Sequence, residues 1–309
     1  MKNSKHLLKQ PFCIEVNGGL GNQMFQYAFG KSISIMKNIP FILDYKYFDL
    51  KSNDNAIIRP NELDVFELKA ISANKEILNK YDDSIMFKIN YILNKYLNFP
   101  ILFKSNRINE TINSLLNINE LKNLENLFFS GYWQSEKYFK NIEDIIRNDF
   151  KFKKKLFGKN SALKKVIQNS NSVSIHIRRG DYVNNPSVFK THGVCSIEYF
   201  RQAVALIKEH VNNPFFYIFS DDFEWEKQND FGTSNYKFID YNNGKSSYID
   251  MQLMSNCKHN IIANSSFSWW GAWLNSNPEK IVIAPKQWFA NEELNFRSEN
   301  IVPKSWKRI

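Results

Sequence analysis

The chain has no apolar run near the eighteen or so residues that a membrane-crossing helix needs. Its first ten residues carry Lys2, Lys5 and Lys9 but lack the apolar stretch of a signal peptide. Cysteine is scarce. Cys13, Cys195 and Cys257 are odd in number and have no metal-type spacing, which excludes a disulfide scaffold and a structural zinc module. These absences together place the expectation in a reducing cytoplasm. No helical recognition motif, zinc finger or aromatic-glycine RNA signature occurs, so nucleic acid is not an expected partner.

What is present reads as a globular enzyme-sized chain. With 309 residues, 43% hydrophobic and 23% charged, disorder, collagen and coiled coil are excluded. A chain of this length usually divides into two domains. Forty-one Lys and Arg against thirty-one Asp and Glu give a net +10. The excess gathers at Lys151, Lys153, Lys154, Lys155 and Lys159, and again at Lys304, Lys307 and Arg308. Solvated basic faces account for such clusters; peripheral contact with an anionic membrane is the sharper alternative.

The hydrophobic pattern starts with a strand at Phe12–Val16, a glycine loop, a helix at Gln23–Lys37 and a strand at Phe41–Leu43, the opening of a parallel α/β sheet. Residues 53–126 are Asn-, Lys- and Ile-rich, with several helices expected. Leu127–Tyr132 reads as a strand and Ser135–Arg147 as a helix. The basic stretch Lys151–Ser172 marks the boundary and holds a helix near Ala162–Gln168. Beyond it the alternation is regular. Strands are expected at Val173–Ile177, Phe215–Phe219, Lys237–Ile239, Asn260–Ala263 and Lys280–Ala284. Helices are expected at Ile197–His210, after Asp222, at Tyr248–Asn256 and at Phe267–Leu274. This divides the chain into an N-terminal Rossmann-like domain (1–160), a C-terminal one (161–290) and a terminal segment (291–309) packing back on the N-terminal domain.

Ligands of open α/β sheets bind beyond the carboxyl ends of the strands, and four loops there carry functional groups. Gly18-Gly19-Leu20-Gly21-Asn22-Gln23 is either a tight turn or an anion cradle at a helix N-terminus. It matches neither the dinucleotide fingerprint nor a P-loop. His176-Ile177-Arg178-Arg179-Gly180-Asp181-Tyr182 ends a strand that places Ser174, His176 and Arg178 on one face. Its arginines suit phosphate oxygens, the alternative being an Arg–Asp ion pair beside a core histidine. Ser220-Asp221-Asp222 supplies paired carboxylates or a helix cap. Asn264-Ser265-Ser266-Phe267 precedes a tryptophan-rich helix, read as core, and caps it or presents amides and hydroxyls to an anion. His192 and Cys195 are set aside as loop residues rather than a catalytic pair. No Asp-x-Asp occurs anywhere, which weighs against a cation held on a sugar-nucleotide pyrophosphate.

Taken in order, these four motifs resemble the set found in glycosyltransferase family 11, the α-1,2-fucosyltransferases, and especially bacterial enzymes that decorate O-antigens. Gly131-Tyr132-Trp133-Gln134-Ser135-Glu136-Lys137-Tyr138-Phe139 and Thr191-His192-Gly193-Val194-Cys195 add to the likeness, which runs from about Ile14 to Pro285. The resemblance implies a GT-B architecture, two Rossmann-like domains with the active site in the cleft between them. It implies GDP-β-L-fucose as donor, a terminal β-galactoside as acceptor, inversion to an α-1,2 linkage, and no metal or other cofactor. A cytoplasmic enzyme acting on a lipid-linked acceptor at the inner membrane face would give the basic charge a use.

The family also suggests roles. Arg178, assisted by Arg179, would bind the β-phosphate. His176 with Asp221 or Asp222 would recognise guanine or ribose. Gly19, Gly21, Asn22 and Gln23, with Ser220, Asn264, Ser265, Ser266 and Phe267, would complete the donor site. Asp181 is the first candidate for the base that takes the acceptor proton and Glu136 the second; Asp181 could instead orient Arg178. The alternatives are a GDP-sugar transferase of another linkage, α-1,3 or α-1,6, and a non-catalytic nucleotide- or carbohydrate-binding protein.

Overall fold

The computed structural model describes residues 10–49, 60–68, 71–72, 106–111, 115–121, 124, 127–296 and 298–309. Most of the helices expected in 53–126, and the lysines at 2, 5 and 9, lie outside the described residues. The chain separates into two compact units, one of 1–63 and 68–146, the other of 64–67 and 147–309.

In the first unit, five parallel strands are ordered β3-β2-β1-β5-β4. They are β1 (Phe12–Glu15), β2 (Phe41–Asp44), β3 (Ile71–Ser72), β4 (Arg107–Asn109) and β5 (Phe128–Ser130). β1 and β2 read as almost unbroken apolar runs because a parallel sheet is covered on both faces. Helix α1 (Leu20–Lys37) begins three residues before the expected start, directly after Gly19. It ends at Asn38, which takes the left-handed conformation (φ 51°) and returns its N–H to Ile35 and Ser34. The expected helix over Ser135–Arg147 is instead two 3-10 turns, Glu136–Tyr138 and Lys140–Ile142, followed by an α-helix at Glu143–Asp149. Phe139 interrupts the helical backbone there with φ −131°.

The second unit has six parallel strands: β6 (Ser172–Ile177), β7 (Phe215–Ser220), β8 (Tyr236–Ile239), β9 (His259–Ile261), β10 (Val282–Ala284) and β11 (Lys307–Arg308). Their order, β11-β10-β9-β6-β7-β8, is the doubly wound order of dinucleotide-binding domains, with the reversal between β6 and β9. Alternation along β6 holds: Val173, Ile175 and Ile177 enter the core with Phe200, Val204, Ile207, Phe216 and Ile218. On the opposite face, Ser174 accepts a hydrogen bond from Asn260 (2.7 Å) and His176 lies against Phe267. Helix Ile197–His210 is capped by Ser196, whose hydroxyl accepts from the Tyr199 amide.

Two expectations about this unit are resolved by packing. Trp269, Trp270 and Trp273 are buried core, and the Trp269 indole donates to the Ile301 carbonyl at 2.8 Å. The terminal segment clusters with this unit. Lys307–Arg308 pairs with β10, and Trp306 lies 5.3 Å from Trp269. Among the described residues no helix is long and apolar enough to cross a membrane.

Candidate functional site

At the β6–β9 reversal, β6 delivers Arg178 between two carboxylates. Its Nη2 meets Asp181 Oδ1 at 2.5 Å, and its Nη1 meets Asp221 Oδ2 at 2.7 Å. Burial pulls the pKa of Arg178 down, but Asp221 and Asp181 more than offset this and raise it. The guanidinium is therefore a fixed cation, with two of its five N–H groups engaged by these pairs. Asp221 organises the turn as well: its Oδ1 accepts from the amides of Arg179 (2.7 Å) and Gly180 (3.1 Å). A Cβ on Gly180 would come 2.8 Å from Asp221 Oδ2, so this close approach requires glycine.

Arg179 donates through Nε to Asp222 Oδ2 at 3.0 Å and lies 4.4 Å over the Trp225 ring. Asp222 caps helix Phe223–Lys227, accepting from the Trp225 amide, while Ser220 Oγ accepts from the Asp222 amide. Of the alternatives read for the Arg and Asp motifs, the structure shows the ion pair and the helix cap together. The aspartates are ion-paired and cap a helix, and through those bonds they fix two arginines at the carboxyl end of β6.

Burial, followed by the charge of Arg178, pushes His176 down to about 3, so it is neutral; its Nδ1 has no hydrogen-bond partner. Asn264 is engaged within the fold. Its amide donates to the carbonyls of His192 (2.9 Å) and Trp288 (3.1 Å), and its oxygen faces Cys195 Sγ. It ties together the loops around the site. Ser265 precedes helix Ser266–Leu274 without a side-chain cap, and the partly buried Ser266 and Phe267 begin that helix. The first amides of such a helix have no intrahelical acceptor and favour an anion.

The glycine loop of the first unit is tied down by its own side chains. Gln23, fully buried, donates to the Gly18 and Pro60 carbonyls (2.8 and 2.9 Å) and accepts from the Glu62 amide. Asn22 Oδ1 accepts from Gln134 at 2.7 Å. Gly18 has φ +73°, and a Cβ there would lie 2.7 Å from Asn22 Nδ2. The Asn22 and Gln23 side chains therefore brace neighbouring loops; Gly19 is the N-cap of α1 and Gly21 lies in its first turn. Glu136 lies in a 3-10 turn, 3.6 Å from Lys140.

Some functional groups escape sequence reading. His192 stacks on Tyr182 (centroids 4.8 Å apart), and Arg178 lies 5.2 Å from that same ring. Burial lowers the pKa of His192. Asn185-Pro186, a cap followed by a first-turn proline, signals the helix Pro186–His192 that carries it there. Beyond β7 and β8, Glu226 and Asp250 form an acidic cluster with Asn242, whose amide donates to Asp250 at 2.7 Å. Glu226 is fully buried, and neither of its carboxylate oxygens has a partner. Burial first, then Asp240, raises Glu226 to about 8; burial raises Asp250 to about 8 against the Asn242 hydrogen bond.

A carboxyl whose folded pKa is raised resists ionisation in the fold, so stability declines as pH climbs from its unfolded to its folded pKa. Glu226→Gln is therefore expected to match the wild type near pH 4 and to exceed it by roughly 3–5 kcal/mol at pH 9. Thermal melts at the two pH values measure this, and equal melting shifts at both would contradict it.

The basic clusters are partly internal. Lys159 Nζ lies 3.4 Å over the Tyr241 ring, and Arg308 donates to the Lys286 carbonyl and to Ser298. Lys153, Lys154 and Lys155 are exposed.

The model of Glycosyl transferase family 11 matches residues 1–309. An alpha-1,2-colitosyltransferase of Escherichia coli is 38% identical, over 94% of this chain and 96% of its own. The O-antigen biosynthesis glycosyltransferase WbnK of Escherichia coli is 36% identical, over 89% and 94%. A galactoside alpha-(1,2)-fucosyltransferase 1 of Leontocebus fuscicollis is 26% identical over 48% of this chain and 43% of its own. Among solved structures, the NodZ alpha-1,6-fucosyltransferase soaked with GDP-fucose covers 88% of this chain and 97% of its own, at 13% identity and a TM-score of 0.50. That likeness shows the fold, a GT-B-type α/β protein with parallel sheets. Motif order, fold and a family match along the whole chain agree, and the protein belongs to glycosyltransferase family 11.

Proposed function

We propose that this glycosyltransferase moves L-fucose from GDP-β-L-fucose to the 2-hydroxyl of a terminal β-galactoside, with inversion, in the synthesis of an O-antigen or similar surface glycan. The observation that carries the reading is Arg178, held between Asp181 and Asp221 at the β6–β9 reversal. Departure of the sugar breaks the bond from its C1 to the β-phosphate oxygen. The electron pair stays on that oxygen while the acceptor O2 bonds to C1 from the opposite face and gives up its proton to solvent. Arg178 and the amides opening helix Ser266–Leu274 neutralise the growing phosphate charge, the work a divalent cation would otherwise do. Asp181 is engaged on Arg178, so its role in this reading is orientation. Its geometry and that of Glu136 mark neither as a general base, and none is assigned.

With Asp221 and Asp222 engaged on the arginines, we move recognition of guanine to Asp250 and its acidic neighbours. Carboxyl oxygens there suit the N1–H and 2-amino donors of that base. The exposed Lys153–Lys155 face suits a lipid-linked acceptor at an anionic membrane.

A second reading is favoured by the 38%-identical relative: the donor sugar is colitose, which is L-fucose without its 3-hydroxyl. The test is GDP release from GDP-fucose and GDP-colitose with EDTA present, across a panel of β-galactosides, with the linkage read by NMR. Acceptor-dependent turnover of GDP-fucose giving Fuc-α-1,2-Gal is the expected result. Turnover of GDP-colitose alone selects the second reading, a different linkage overturns the acceptor assignment, and loss of turnover on EDTA addition overturns metal independence. Failure to bind GDP sinks both readings. Tighter binding of GDP than of inosine diphosphate, with the difference lost in Asp250→Asn, checks the guanine contact.

A further inference from the structure

The first unit carries an aromatic display that none of the roles above uses. β1 and β5 are neighbours in its sheet, and past their carboxyl ends the chain fixes residues 131–133 in a conformation with little freedom. The Gly131 carbonyl accepts from Gln26 at 3.0 Å, and Gln26 also brackets Asn17 beyond β1 through both its amide atoms. Gly131 has φ +157°, and a Cβ there would lie 2.4 Å from Glu110 Cβ. The Tyr132 amide donates to Glu110 Oε2 at 2.7 Å. Trp133 takes φ +54°, in the left-handed region that a bulky residue rarely enters. Its ring is buried and stacked on Phe29 (4.1 Å, planes within 1°), and its indole N–H has no hydrogen-bond partner.

Backbone strain of this kind persists only where the surroundings over-determine it, and it concentrates at functional sites. Its consequence here is specific. Trp133 is locked inward while Tyr132 stands 48% exposed at the strand end. Tyr132 has Tyr47, Glu110 and Glu15 as electrostatic neighbours. Glu15, the last residue of β1, accepts from Ser130 Oγ and pairs with Arg107 at 3.4 Å. An aromatic face bordered by carboxylates repels an anion such as a nucleotide. It suits a neutral polyhydroxylated ring, whose C–H face covers the aromatic and whose hydroxyls donate to the carboxylates.

We infer that Tyr132 is the platform on which the terminal sugar of the acceptor rests, with Glu15 and Glu110 accepting its hydroxyls. The inference depends on the glycosyl-transfer reading and adds to it the residue that selects a neutral galactoside over an anionic sugar. Tyr132→Ala, Tyr132→Leu and Tyr132→Phe would be compared in steady-state kinetics against a β-galactoside at saturating donor, with GDP affinity measured by calorimetry. Tyr132→Ala and Tyr132→Leu are expected to raise acceptor KM about tenfold or more, and Tyr132→Phe to stay within about twofold. All three should bind GDP as the wild type does. Leucine keeps bulk and apolarity without a planar ring, so it separates stacking from packing. An unchanged acceptor KM in both the alanine and leucine variants would overturn the platform alone. A parallel fall in GDP affinity would mark a structural role and overturn it too. A wild type that transfers to no galactoside would overturn the transfer reading and this inference with it.

Discussion

Arg178→Ala is expected to lower kcat/KM by about 10³-fold while the protein stays folded. Removing one preorganised donor aimed at developing charge costs about 10²–10³ in rate in known cases, and Arg178 brings a full positive charge besides. The side chain is about one-fifth exposed and already paired twice, so its truncation leaves Asp181 and Asp221 without their partner but in reach of water. Arg178→Lys should recover little. A lysine ammonium is a single point and cannot meet both carboxylates and still present the planar donor set that suits phosphate. Steady-state kinetics beside a circular dichroism spectrum decide the matter. Near-normal turnover in a folded Arg178→Ala protein would remove the arginine clamp from the reading.

Asp221→Asn should be nearly as damaging, a loss of about 10²-fold, although Asp221 is not expected to touch the substrate. One amide oxygen can still accept from Arg179 and Gly180. The atom facing Arg178 Nη1 then becomes an NH₂ group, donor against donor, and the guanidinium loses one of the two contacts that orient it. Leaving a partly buried charge with one partner fewer costs about 1–3 kcal/mol, a fall of several degrees in Tm. Because Asp221 acts through Arg178, the double variant Arg178→Ala/Asp221→Asn should be no slower than Arg178→Ala alone. Multiplicative losses would mean that Asp221 acts on the reaction independently.

The parts of this protein that could be read in advance are those whose cause is local. β6 alternates polar with apolar residues and is followed by Arg178, β7 is an apolar run ended by Ser-Asp-Asp, and both strands lie within a residue of the expected bounds. Helix Ile197–His210 carries its own cap at Ser196 and basic residues in its last turn, and its bounds match. The opening of β10 was placed two residues early, at Lys280. That side chain instead donates to carbonyls at the end of helix Ser266–Leu274. Short elements such as Pro186–His192, and two-residue strands such as β3 and β11, have too few residues to show a period.

The candidate site divides the same way. Arg178, Arg179, Asp181, Asp221 and Asp222 were found because charged groups at a strand's carboxyl end are costly unless paired or used, so their density is itself a signal. Asn22, Gln23 and Asn264 show the limit of such a signal. A buried amide looks the same in sequence whether it binds a ligand or braces a loop, and only its partners, Gln134, Pro60, His192 and Trp288, separate the two. Glu226 and Asp250 appear in sequence as ordinary helix residues. They become a buried cluster because β7 and β8 lie side by side in the sheet. The sequence by itself determined the family, the two α/β halves and the residue types of the arginine motif, because strand, glycine turn and cap are written in neighbouring residues. Tertiary structure alone decided which polar groups are satisfied within the fold, and by which partners. Hydrogen bonds between residues about forty to more than a hundred positions apart settle that question, and no local pattern records them.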